Sequence, residues 1–83
     1  MKLFILTHCA VEENYTPQIF KTKKEAQNKM KDMVDSLVYE RDSDGDVIDQ
    51  YTDNFEVYDN RAEIIYPDDT YDCLEIFEVE IDI

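Results

Sequence analysis

Glycine is almost absent: Gly45 is the only one among 83 residues. That excludes the phosphate-cradling loops built on repeated glycines. Histidine occurs once, as His8, and tryptophan does not occur. No GxSxG turn and no HExxH helix exists in the chain. Cys9 follows His8, but adjacent residues on a strand point to opposite faces and cannot form a nucleophile–base dyad. His8, Cys9 and Cys73 also lack any zinc-ligand spacing. The expectation is a chain that is not an enzyme and carries no cofactor and no dedicated metal.

Long apolar runs are missing as well; none approaches the ~18 residues of a membrane-spanning helix. The opening Met1-Lys2-Leu3-Phe4-Ile5-Leu6-Thr7-His8-Cys9 superficially looks like a lipoprotein leader. His8 stands where a small residue is required, and the apolar segment is too short. The expected location is the cytoplasm. Two cysteines are too few for a disulfide framework. They can pair only if the first and last strands are neighbours.

Positive charge is scarce in one half only. Residues 1–41 carry seven Lys/Arg and six Asp/Glu, whereas residues 42–83 carry Arg61 alone against fifteen Asp/Glu. The first half is therefore close to neutral, and the second half carries the whole excess of negative charge behind the net −13, with four of the six tyrosines. Such a field repels nucleic acid and anionic membrane and attracts basic protein surfaces. The Ile, Val, Phe and Tyr content of the acidic half argues for a folded segment. The length fits a single small domain, residues 1–83, with a neutral half (1–41) and an acidic half (42–83).

The run Leu3-Phe4-Ile5-Leu6 fits a central strand, and Thr16–Phe20 a short returning edge strand with Pro17 near its start. Thr22-Lys23-Lys24-Glu25 has capping-box spacing. Ala26, Met30, Met33, Val34, Leu37 and Val38 then form one stripe at helical period, predicting a helix from about 23 to about 41. Val47–Tyr51 reads as loop or strand. Phe55–Tyr58, Ala62–Tyr66 and a last strand from Tyr71 toward Ile83 follow, separated by Asp59-Asn60 and Pro67–Thr70 turns. The predicted class is α+β: an antiparallel sheet of about four to five strands with one amphipathic helix packed on one face.

The last strand changes parity, since Leu74 and Ile76 alternate out of phase with Phe77, Val79 and Ile81. A β-bulge near Ile76-Phe77 would turn all five inward and put Glu75, Glu78, Glu80 and Asp82 on one outward stripe. Alternate carboxylates would stand about 6.6–6.8 Å apart, comparable to successive phosphates. They would compete for Arg/Lys clusters that bind nucleic acid. Candidate partner-binding residues are Asp68, Asp69, Tyr71, Asp72, Glu75, Glu78, Glu80 and Asp82. The acidic loop Asp42–Asp53 suggests a divalent-ion alternative, although Val47 and Asp53 stand where a calcium loop needs Gly and Glu. A third reading is a structural or assembly protein with an acidic solvated face.

On Asp68, Asp69, Asp72, Glu75, Glu78, Glu80 and Asp82, with its size and topology, the chain resembles the small acidic proteins of phages and mobile elements. These include anti-CRISPR proteins and other DNA mimics. The resemblance implies a stoichiometric inhibitor blocking a basic groove of a nucleic-acid-processing effector such as a CRISPR nuclease, without catalytic residues. Implied partners are a basic protein surface, with no direct nucleic acid and no membrane, and the chain itself a monomer or small homo-oligomer.

Overall fold

The computed structural model describes residues 1–11 and 13–82. Strand β1 (Lys2–Ala10) is followed by β2 (Glu13–Asn14), β3 (Gln18–Phe20) and helix α1 (Lys23–Val38). Then come β4 (Tyr39–Arg41), β5 (Val47–Gln50), β6 (Phe55–Val57), β7 (Arg61–Ile65) and β8 (Tyr71–Glu80). Six strands form one sheet in the order β2-β1-β8-β7-β6, with β3 also pairing β1, and all pairings are antiparallel. β4 and β5 make a separate two-stranded hairpin. The architecture is α+β, with one more strand in the main sheet than the upper expectation.

The helix starts where the capping chemistry puts it. Thr22 is extended, and its hydroxyl accepts from the Glu25 backbone N–H at 3.2 Å, filling one of the four orphan donors of the first turn. Ala26, Met30, Val34 and Val38 form the buried stripe. They pack on Phe4 and Leu6 of β1, Ala62 and Ile64 of β7, and Leu74 and Ile76 of β8. Every second residue of these strands faces the helix, as strand geometry requires.

The helix ends at Val38, three residues before the expected end near 41. Continuing it would place Arg41 on the buried stripe, one turn beyond Leu37 and Val38. Tyr39 turns extended instead (φ −118°, ψ 141°), while its N–H still reaches the Asp35 carbonyl. Its ring meets Phe55 edge-on at 6.3 Å between centroids. Arg41 returns to the helix through two hydrogen bonds to the Asp35 carboxylate, at 2.8 and 2.9 Å. Asp42–Asp46 therefore reverses a hairpin rather than simply stopping a helix, with Gly45 at φ 87°.

The bulge expected near Ile76-Phe77 does not exist. β1 and β8 pair without a register shift from Lys2↔Glu80 to Ala10↔Asp72. The change of parity is real and is expressed as two different faces. Leu74 and Ile76 are buried under the helix, whereas Phe77 projects from the other side and is 48% exposed. The uncovered face, expected to carry the stripe of Glu75, Glu78, Glu80 and Asp82, has a largely apolar end instead.

Candidate partner-binding surface

Rows read across the open face of the sheet show how it is built. Leu3 lies opposite Val79. Ile5 lies between Ile19 of β3 and Phe77 of β8. Thr7, Glu75 and Arg61 form the next row, and Cys9, Cys73, Glu63 and Glu56 the one after it. Tyr71 and Ile65 close the face beside the β7–β8 turn. The face is thus apolar at one end and acidic at the other. No element of the described chain covers it, and Ile19 is 65% exposed. Contiguous apolar exposure of this kind marks interaction sites more often than a scattered surface residue does.

The eight acidic-half candidates do not share one surface. Glu75 and Tyr71 lie on the open face, while Asp72, Glu78 and Glu80 have the opposite parity and lie on the helix side. The single outward stripe of Glu75, Glu78, Glu80 and Asp82 is therefore corrected: it needs the missing bulge. Glu78 and Glu80 also have local cations. Lys2 Nζ is 3.6 Å from Glu78, and the Met1 ammonium is 3.3 Å from Glu80. Asp82 is exposed beyond the end of β8.

Asp72 is a structural group. Its Oδ1 lies 2.7 Å from His8 Nε2, and its Oδ2 accepts from the Tyr66 hydroxyl at 2.6 Å. The His8 and Asp72 side chains are only 12% and 10% exposed. The His8 ring stacks on Tyr15 with centroids 4.2 Å apart. Burial, followed by the bond to Asp72, pushes the Tyr66 phenol far above its ordinary value. Pattern reading missed this cluster, although its signal was present. His8 continues the inward set Phe4, Leu6, and Asp72 precedes Leu74 at the same parity. Ser36 lines a cleft of about 200 Å³ with His8, but no hydrogen bond joins them among the described residues.

Asp68 and Asp69 occupy the β7–β8 turn. Asp69 N–H donates to the Tyr66 carbonyl at 3.0 Å, and Asp69 itself is left-handed at φ 68°. The Asp68 carboxylate accepts from the Thr70 hydroxyl and backbone N–H, which together lower its pKa. Among the described residues, Asp69, Tyr71, Glu63, Ile65 and Cys73 help to line a concavity of about 300 Å³ on the acidic end of the open face.

In the 42–53 loop two of the carboxylates, Asp42 and Asp49, serve their own backbone. Asp42 Oδ1 accepts from the N–H groups of Asp44 and Asp46, both at 3.0 Å, and Asp49 Oδ1 from Gln50 at 2.9 Å. Among the described residues, no group of three His, Cys, Asp or Glu side chains is placed to hold a metal ion. No described helix is long and apolar enough to cross a membrane. Comparison with known proteins returns no match to a family model, to a curated protein or to a solved structure.

Proposed function

We propose that this chain is a non-enzymatic protein-binding module whose open sheet face docks on a basic protein surface with an apolar centre. The observation that carries the reading is the uncovered row Ile19–Ile5–Phe77, flanked by Leu3 and Val79, on a chain of net charge −13. Specific interfaces commonly combine an apolar centre with a polar rim. Here the rim is Glu56, Glu63 and Glu75 against Arg61. A second copy of this chain suits the apolar rows but brings carboxylate against carboxylate. A basic partner suits both. The partner class this favours is a nucleic-acid-processing effector with a cationic groove, such as a CRISPR nuclease, blocked stoichiometrically in a bacterial cytoplasm.

The test compares wild type, Ile5→Lys/Phe77→Lys and Glu78→Lys/Glu80→Lys in affinity capture from bacterial lysate with salt-step elution. Hydrogen exchange then maps the captured complex. The reading expects protection on β1 and β8, loss of the partner in the Ile5/Phe77 pair, and retention in the Glu78/Glu80 pair. Circular dichroism establishes that each variant is folded. Equal capture by folded Ile5→Lys/Phe77→Lys would remove the open face as the interface.

A further inference from the structure

The acidic end of the open face is concave as well as charged. Its floor runs between Ile65 and Tyr71, which are direct cross-strand partners, and it extends to Cys73 and Glu63. At about 300 Å³ it lies at the small end of the range of roughly 300–1,000 Å³ seen for ligand pockets. That is suited to a single long side chain rather than a whole small molecule. Tyr71 is 46% and Ile65 45% exposed, so an aromatic ring and an aliphatic wall stand open to solvent in the same hollow.

The charge around the hollow is one-sided. Glu56 and Glu63 are direct cross-strand partners, and like charges in that arrangement destabilise a sheet. Arg61 reaches Glu63, and the Tyr58 hydroxyl reaches Glu56. Glu75 sits beside Arg61 in the next row, and Asp69 lines the hollow from the turn. Two carboxylates, Glu63 and Asp69, thus line the hollow, with Glu56 and Glu75 next to them on the same face and one guanidinium, Arg61, opposing them.

We infer that this hollow receives an arginine side chain of the partner, with the guanidinium over the Tyr71 ring and toward Asp69, and its methylene stem along Ile65. The inference rests on the docking reading above and names one anchor within it. Arginine fits better than lysine on three counts. Its planar cation stacks on an aromatic face. It is more weakly hydrated, so it enters a half-apolar hollow at lower cost. Its fork can engage a carboxylate through two parallel hydrogen bonds.

The probe is the blocked tripeptide acetyl-Gly-Arg-Gly-amide, titrated into 15N-labelled full-length chain at low salt, with the lysine tripeptide as control. The expected result is saturable shift changes at the amides of Ile65, Asp69, Tyr71 and Cys73. Binding of the lysine peptide, and binding by Tyr71→Ala, should be about two- to fivefold weaker, the scale of an exposed cation–π contact. Tyr71→Phe should retain the arginine preference, because the ring remains. Asp69→Asn, which tolerates the left-handed backbone, should weaken binding while the spectrum stays that of the folded chain. Shifts spread over the 42–53 hairpin as strongly as over the hollow would overturn the inference, as would equal affinity for the two peptides. Failure here with loss of partner in Ile5→Lys/Phe77→Lys removes the arginine anchor and leaves the docking reading standing. Saturation here with normal capture by that double variant does the reverse.

Discussion

Cys9 and Cys73 lie directly opposite each other on β1 and β8, in a pair that exchanges both backbone hydrogen bonds. The class follows from Met1 and Ile81, an even number of rows away, where Met1 N donates to the Ile81 carbonyl at 3.0 Å and Ile81 N to the Met1 carbonyl at 2.8 Å. Hydrogen-bonded pairs hold their β-carbons at the wide end, near ~5.5 Å, whereas a disulfide needs about 3.5–4.5 Å. Burial, followed by the Glu75 charge, also raises the Cys73 thiol pKa and disfavours the attacking thiolate. We expect two free thiols after incubation with oxidised glutathione. Thiol counting with a chromogenic disulfide checks this, and a count of zero with no dimer formed would show that the strands shift to close the bond.

Asp72→Ala should destabilise the fold by about 1–3 kcal/mol, because it leaves the Tyr66 hydroxyl and His8 Nε2 without their shared acceptor in a nearly buried site. Asp72→Asn should cost less, since one carboxamide oxygen still accepts. Urea midpoints decide it. An unchanged midpoint for the alanine variant would mean that water replaces the carboxylate at no loss.

Stability should fall as pH rises above about 10. The unfolded Tyr66 phenol ionises near 10, while in the fold burial and the Asp72 bond hold it protonated to higher pH. The folded pKa is the raised one, so its stabilisation is complete below about pH 10 and is lost as pH climbs toward the folded value. Thermal melts across pH 9–12 measure the slope, and Tyr66→Phe should flatten it. A wild-type profile that is level through this range would contradict the assignment.

The two left-handed turn residues should respond in opposite directions. Gly45→Ala places a β-carbon at φ 87°, with no atom within 4 Å of it, so the cost is backbone strain alone, about 1–2 kcal/mol. Asp69→Gly relieves the same strain at φ 68° and should gain up to about 1 kcal/mol, less for the lost chain stiffness of a non-glycine residue. Paired melting curves test both. A less stable Asp69→Gly variant would show that the aspartate contributes a contact that outweighs its conformation.

Salt should raise the melting temperature. The net charge of −13 and the Glu56/Glu63 pairing both act through screened repulsion. The Debye length falls from about 10 Å at 0.1 M to about 3 Å at 1 M. A melting point that drops between these concentrations would mean that ion pairs such as Lys2–Glu78 outweigh the repulsion.

The parts of the fold that were legible in the sequence are those encoded by local chemistry. Thr22 and Glu25 mark the helix start, and the Ala26–Val38 stripe identifies its buried face. The end of the helix was less legible, because Tyr39 belongs to both the core edge and the following strand. The last strand was misread for a specific reason. Placing Leu74, Ile76, Phe77, Val79 and Ile81 all inside assumed that apolar residues must be buried, whereas apolar residues are common on surfaces. Without the bulge, the alternation itself already assigns Phe77 and Val79 to the second face. The pairing of β1 with β8 carries no local signal, and so His8–Asp72, Lys2–Glu78 and the hollow at Tyr71 emerge only from the assembled sheet.

That same pairing has a kinetic side. β1 and β8 meet over nine positions, yet they stand near opposite ends of the described chain. Contacts of such sequence separation close large loops before they return any stabilisation, which slows folding. On the ribosome, β1 emerges with Leu3 and Ile5 on one side and Phe4 and Leu6 on the other. Its main partner strand is completed only when residue 80 has left the exit tunnel. The helix can form meanwhile and shield one side. The other side stays uncovered throughout synthesis, so the surface proposed to bind a partner is also the one most exposed to premature association.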